Sequence, residues 1–210
     1  MENNGCIIIF AKAPVPGDVK TRMIPAFGAE NAALLLAALV ERALETATNT
    51  NRPVELCCAP DAAHNFFQEC AEDFDVTLTE QGEGDLGVRM LRALNTAIDA
   101  HGRAVLIGAD CPVFTPKHLL RALLSLGADD IVLTPAEDGG YVLIGARRTH
   151  DRMFDNIDWG TASVFAQQRT AVAACGLSAH ELETLWDVDR PADLVRLKDL
   201  RPPLAYAFVA

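Results

Sequence analysis

The chain predicts an α/β fold, a three-layer α/β/α sandwich built on a mostly parallel mixed sheet. Three observations carry this reading. Short, continuously apolar runs such as Cys6-Ile7-Ile8-Ile9-Phe10 and Ala104-Val105-Leu106-Ile107 suit strands buried on both faces. These runs alternate with helical stretches of ten residues or more, the pattern of βαβ units with right-handed crossovers. Unusual residues gather in the loops just after strands, where open α/β sheets bind ligands.

Each element follows from its own signal. A Pro/Gly-rich loop ends the first strand. An Ala/Leu-rich helix spans roughly 29–49, and a second strand, 54–59, stops at Pro60-Asp61. A short helix over 62–72 and a short strand over 76–79 follow. The loop 80–85 then leads into a helix over about 86–100. After the strand 104–107, Thr115 caps a helix that Pro116 opens. Strands are expected at 131–133 and 141–146, a helix near 163–175, a strand around 182–185 and a helix from Pro191. No repeat or long linker interrupts the pattern, so residues 1–210 read as a single domain.

Composition narrows the function. Half of the 210 residues are apolar and 22% are charged, as in ordinary globular proteins. The longest purely apolar run, 32–40, has nine residues, against about 18 for a membrane span. The amino terminus lacks the basic flank of a signal peptide. A cytoplasmic protein without a membrane partner is expected. A net charge of -11 argues against nucleic acid as a partner, because phosphate backbones reward clustered cations. None of the six cysteines forms a CxxC pair, so small buried hydrophobes are expected, with Cys57 and Cys58 on opposite faces of a strand. The five histidines show no metal spacing.

Three constellations could carry chemistry. The loop after the first strand holds Lys12, Lys20 and Arg22 against one acid, Asp18. Cations and free amides beyond a strand suit a di- or triphosphate, with Arg22 gripping it bidentately and the lysines acting as point charges. The second is Asp110 in Gly108-Ala109-Asp110-Cys111-Pro112, placed after a strand to hold Mg²⁺ or, alternatively, to start a turn. The third is Asp187 and Asp189, which share one side of an extended segment and could share a metal. Their alternative role is to favour the helix start at Pro191, as Asp193 does. Glu137-Asp138-Gly139-Gly140-Tyr141 and Trp159-Gly160-Thr161 suggest an acceptor site, with hairpin and core roles as alternatives. Gln81, Asp85, Gly87 and Arg89 lie in a glycine-rich segment that could contact base or ribose, Gly87 allowing close approach. A plain N-cap by Asp85 is the competing account.

The stretches FAKAPVPGDVKTRM, GDLGVRM, GADCP, PAEDGGY, DWGT and DVDRPADL occur in that order between Phe10 and Leu194. Together they resemble the radical-SAM/selenodomain-associated transferases, relatives of 2-phospholactate guanylyltransferase and molybdenum-cofactor guanylyltransferase. The resemblance implies the glycosyltransferase-A, or nucleotide-diphospho-sugar transferase, fold. It implies that Ala11, Lys12, Gly17, Lys20, Thr21 and Arg22 hold a nucleotide's phosphates, and that Gln81, Asp85 and Gly87 lie on its base side. It also implies that Asp110, with Asp187 and Asp189, holds Mg²⁺ or Mn²⁺. The relatives' loop carries paired glycines after its first Ala and a Lys after its Arg-Met pair. Here Lys12-Ala13-Pro14 replaces the glycines and Lys20 precedes Arg22, implying a phosphate grip of different geometry.

Two enzymatic readings and one binding reading follow. The first is a Mg²⁺-dependent nucleotidyltransferase acting on an NTP and a small phosphorylated or carboxylated acceptor. In it Lys20, Arg22 and Asp110 carry catalysis, and Glu137, Asp138, Gly139, Gly140, Tyr141, Trp159 and Thr161 shape the acceptor site. The second is a glycosyltransferase using a nucleotide sugar, which usually needs a DxD on the strand that ends the nucleotide half, where only Asp110 stands. The third is a non-catalytic nucleotide-binding module. A monomer or homodimer fits all three.

Overall fold

The computed structural model describes residues 5–204. Its framework is a seven-stranded sheet. The strands are β1 (Cys6–Lys12), β2 (Val54–Ala59), β3 (Thr77–Glu80), β4 (Ala104–Gly108), β5 (Ile131–Pro135), β6 (Tyr141–Ala146) and β7 (Ala179–Glu181), in the order β3-β2-β1-β4-β6-β5-β7. β6 alone runs antiparallel, against both β4 and β5. The remaining pairings are parallel. The predicted mixed, mostly parallel α/β architecture is the one observed.

The helices are α1 (Ile24–Phe27), α2 (Ala29–Thr48), α3 (Asn65–Phe74), α4 (Leu86–His101), α5 (Pro116–Ser125) and α6 (Val164–Ala174), with a 3₁₀ helix over Pro191–Asp199. α2, α3 and α5 pack on one sheet face, where Ile7, Ile9, Leu56, Cys58, Val105 and Ile107 point. α4 and α6 cover the other, where Cys6, Ile8, Cys57, Leu106 and Ile144 point. Strand periodicity sends Cys57 and Cys58 to opposite faces, as expected. Every cysteine is a free thiol, and all but Cys175 are buried. Among the described residues no helix is long and apolar enough to cross a membrane.

The termini of the elements show where local signals sufficed. Thr115 caps α5 by accepting from the His118 amide, and the His118 ring closes a capping box. Asp85 caps α4 by accepting from the Val88 amide at 2.9 Å. The carboxy-terminal signals were weaker. The strand expected at 182–185 forms at 179–181 instead, and Leu185 keeps only a single bridge to Ala136. The helix opening at Pro191 is 3₁₀, not α. Leu194, Leu197 and Leu200 recur every third residue, the 3₁₀ period, and pack with Leu35 and Leu39 of α2. The single turn of α1, between Met23 and Gly28, is shorter than any periodicity signal.

One buried charge ties the far edge of the sheet together. Asp130 is 6% exposed. Its carboxylate accepts from the Ser178 amide at 3.1 Å, from Arg148 at 2.9 Å and from Arg147 at 3.2 Å. Burial opposes its ionisation, but the Ser178 amide and the two guanidinium groups outweigh it and hold the carboxyl below its ordinary range. That stabilisation is complete above the ordinary carboxylate pKa of about 4 and is lost as pH falls through the lower folded value. Asp130→Asn should therefore destabilise the fold by about 3 kcal/mol at pH 7. The difference from the wild type should shrink toward pH 3, as read by urea denaturation at both pH values.

Candidate active site

The chain runs outward from β1 through β2 to β3, then returns to lay β4 on the other side of β1. The crevice beyond the carboxyl ends of β1 and β4 is therefore the topological switch point, where such sheets bind ligands. A cleft of about 540 Å³ opens there. The loop 13–23 forms one wall, contributing Asp18, Val19, Lys20, Thr21 and Arg22. Ala11 and Lys12 from β1, Gln81 and Arg89 around the start of α4, and Asp110 and Asp189 complete it.

The loop is shaped to present donors. The amides of Ala13, Val15, Asp18 and Met23 are bonded to backbone carbonyls. Those of Gly17, Val19, Lys20, Thr21 and Arg22 have no protein acceptor among the described residues. Consecutive unbonded amides make a concavity suited to anions. Gly17 takes φ 96° with open space around it. Lys20 holds φ 46°, a left-handed conformation uncommon outside glycine and typical of sites where the surroundings over-determine the backbone.

The surroundings of Lys20 show what determines it. Its ammonium donates to Asp110 Oδ2 at 2.8 Å and to the Val188 carbonyl at 2.6 Å, and its side chain is 6% exposed. The Val188 amide donates to the Asp110 carbonyl at 2.9 Å. Lys20, Asp110 and the segment 187–189 thus clamp three distant loops together. Val188 is fully buried against α2, which leaves Asp187 and Asp189 facing the cleft region. Gly108 makes room for the clamp: a Cβ there would lie 2.8 Å from Asp110 Oδ1.

Charge in the site is unevenly compensated. Burial opposes ionisation of Asp110, and the Lys20 ammonium outweighs it, holding the carboxyl below its ordinary range. On Asp187 the same ammonium is outweighed. Burial, then Asp110, then Asp138 push its carboxyl up to about 6. Two hard oxygen donors that repel each other across a cleft fit a divalent cation of the Mg²⁺ or Mn²⁺ class, which takes carboxylates together with phosphate oxygens. Asp189 is engaged differently: its carboxylate pairs with Arg22. Asp110, Asp187 and Asp189 do not converge as a compact trio. Among the described residues, the only set of three His, Cys, Asp or Glu ligand atoms within 4.8 Å of one another is Cys6, Glu55 and His101.

The remaining expected residues have defined surroundings. Lys12 stands exposed at the cleft edge with no ion-pair partner among the described residues. Gln81 is 5% exposed, and its carboxamide is used internally: Nε2 donates to the carbonyls of Ala11 and Cys57, both at 3.1 Å. Its Oε1 accepts from Arg89 at 3.1 Å, so Gln81 orients Arg89 toward the cleft. Asp85 and Gly87 lie outside the cleft lining. Gly87 does permit a close approach, but to protein: a Cβ would lie 2.8 Å from the Phe154 Cβ and 3.1 Å from the Trp159 ring.

Two smaller cavities adjoin the cleft. One of about 220 Å³ is lined by Asp138, Gly140, Tyr141, Trp159 and Thr161 with apolar residues of β4 and α4. The Tyr141 hydroxyl turns inward to Gln168 Oε1 at 3.2 Å, and burial raises its pKa. The other, about 330 Å³, holds Arg22, Glu137, Asp138, Thr161, Trp186, Asp187 and Asp189. Glu137 is held bidentately by Arg196 at 2.7 and 2.9 Å, and Arg196 also stacks 4.2 Å over Trp186. Gly139 (φ 92°) lets the β5–β6 turn dock on the 159–163 loop and the start of α6, whose Phe165 amide donates to its carbonyl. The Val188 carbonyl and Arg196 carried no local sequence signal, because each acts through a partner more than 40 residues away, and Trp186 is engaged through Arg196.

Comparison with known proteins bears on the fold and the family. No curated protein matches the chain. The crystal structure of a protein designated a nucleotide-diphospho-sugar transferase, from Desulfovibrio desulfuricans G20, is 32% identical with a TM-score of 0.81, covering 90% of this chain and 84% of that one. A nucleotidyl transferase from Methanothermobacter thermautotroptrophicus is 15% identical with a TM-score of 0.67, over 94% and 97% of the two chains. The glucosyl-3-phosphoglycerate synthase of Mycobacterium tuberculosis, in complex with Mn²⁺, UDP and glucosyl-3-phosphoglycerate, is 10% identical with a TM-score of 0.55, over 92% and 75%. The last two show the fold alone, which is that of the nucleotide-diphospho-sugar transferases. A family model matches residues 41–161, and the chain thus belongs to DUF2064, a family of uncharacterized proteins conserved in bacteria.

Proposed function

We propose that the protein is a divalent-cation-dependent nucleotidyltransferase that moves a nucleotidyl group from an NTP to a small anionic acceptor. The observation that carries this reading is the cleft at the β1/β4 switch point. It sets a wall of unbonded amides, Lys12 and Arg22 opposite Asp110. A triphosphate needs that combination of donors and point charges. The ordered motifs from Phe10 to Leu194 support the same reading through their likeness to guanylyltransferases.

The chain's own residues would do the following. The loop amides and Lys12 bind the phosphates. Arg22 leaves Asp189 to join them, at small cost because an exposed ion pair contributes little. Lys20 holds Asp110 and the 187–189 segment in register. Arg89, oriented by Gln81, lies toward the base side. Asp138, Trp159 and Thr161 border the acceptor cavity, which the two smaller pockets form. Asp110 and Asp187 would hold the cation, which supplies charge neutralisation at the phosphates when bound. The synthase from M. tuberculosis, solved with Mn²⁺ and UDP, gives glycosyl transfer as the second reading. The basic loop favours a triphosphate over a nucleotide sugar.

Thermal unfolding with a panel of NTPs and nucleotide sugars, with and without Mg²⁺, separates the two. A ligand at about 100 times its Kd adds about 2.7 kcal/mol, a rise of about 5–10 °C for a chain of this size. A Mg²⁺-dependent rise with one NTP, larger than with any nucleotide sugar, is the expected result. A rise confined to a nucleotide sugar would overturn nucleotidyl transfer in favour of glycosyl transfer.

A further inference from the structure

The amino-terminal edge of the sheet, opposite the cleft, brings together three side chains that nothing in the nucleotide reading uses. Cys6 opens β1, Glu55 lies near the start of β2, and His101 ends α4. The Cys6 Sγ lies 3.7 Å from Glu55 Oε1, and His101 Nε2 lies 4.0 Å from the same oxygen. All three ligand atoms fall within 4.8 Å of one another. Ligands about 2.0–2.3 Å from a tetrahedral metal are themselves separated by roughly 3.3–3.8 Å, so a small inward adjustment would complete three corners of a tetrahedron.

We infer that Cys6, Glu55 and His101 form a transition-metal site, with zinc the ion best matched to one sulfur, one nitrogen and one carboxylate donor. Cys6 is fully buried, while the side chains of Glu55 and His101 are 14% and 27% exposed. The metal is therefore anchored on the core side and reached from the solvent side, where water takes the fourth position. Glu55 Oε1 faces both the Cys6 thiol and the His101 ring, so its charge is placed to serve the cation. On binding, the Cys6 thiol releases its proton to solvent and ligates as thiolate. The site would staple β1, β2 and the end of α4 on the face of the sheet that α4 covers. It is separate from the Asp110–Asp187 pair in chemistry as well as place, since the latter offers only hard oxygen donors.

Co²⁺ titration of the full chain tests this directly, because Co²⁺ substitutes for zinc and a thiolate ligand gives it a charge-transfer absorption that carboxylates do not. Stoichiometric uptake with a thiolate band is expected, along with a rise in the unfolding midpoint on adding Zn²⁺. Cys6→Ser should abolish the band, and His101→Gln should weaken Zn²⁺ and Co²⁺ binding by more than the roughly 10–100-fold that losing an outer-shell partner costs, whereas Asp110→Asn should leave both unchanged. His101→Gln sits at a partly exposed helix end, so it keeps the test open should Cys6→Ser fail to fold. Absence of a band in the wild type, its survival in Cys6→Ser, or unweakened metal binding in His101→Gln would overturn the site.

Discussion

Replacing Asp110 with Asn should lower Mg²⁺-dependent pyrophosphate release from NTP and acceptor about 10³-fold or more, with the fold retained. The magnitude follows from losing a cation ligand whose charge neutralisation is worth several kcal/mol at a phosphoryl centre. Asn is the informative replacement, and Ala is not. The Lys20 side chain is 6% exposed and leans on Asp110 Oδ2 at 2.8 Å. Truncation to Ala would strip a nearly buried ammonium of its counter-charge, which costs about 3–5 kcal/mol, and would confound lost catalysis with unfolding. Asn keeps an acceptor oxygen for Lys20 while removing the charge. The Mg²⁺-dependent part of nucleotide-induced thermal stabilisation should disappear in the same variant. Unchanged release and an unchanged thermal rise would remove Asp110 from the cation site.

Gly139→Ala should destabilise the protein by about 3 kcal/mol or more and disrupt the acceptor cavity. Gly139 takes φ 92°, where an L side chain is strained, and its Cβ would lie 2.3 Å from the Ala162 carbonyl oxygen and 2.8 Å from that residue's carbonyl carbon and Cα. The obstacle is backbone and cannot rotate away, so the β5–β6 turn must lift from the 159–163 loop. Trp159 and Thr161 would move with it. Gly160→Ala provides the comparison: it has φ 79° but nothing within 4 Å, so only backbone strain of about 1–2 kcal/mol applies. Urea denaturation of both variants should separate the two costs. Equal losses would show that the turn and the loop do not rely on their close packing.

The strands were legible because burial on both faces leaves an unbroken apolar run that needs no partner to be recognised. Ile7, Ile8 and Ile9, or Val105, Leu106 and Ile107, declare it by themselves. The caps at Asp85 and Thr115 were legible because their hydrogen bonds close within three residues. The cleft was legible in outline, since strand-to-helix loops at carboxyl ends converge in any parallel sheet. The carboxy-terminal elements were not. A three-residue edge strand carries too little alternation to place, and an apolar repeat of three reads as helix without saying which kind.

The residues' own pattern determined the α/β class, the order of most elements and the loop on which phosphate would sit, because periods of 2 and 3.6 and turn chemistry are local properties. Tertiary structure alone decided that Lys20 reaches Asp110 and Val188, separated from it by 90 and 168 residues. It alone decided that Gln81 spends its carboxamide on Ala11, Cys57 and Arg89. It likewise brought Cys6, Glu55 and His101 together on one edge. These contacts depend on strand order and register, as in the pairing of Ile8 with Glu55 and Leu106. Periodicity tells which face a side chain takes, and only the assembled sheet tells what stands opposite it.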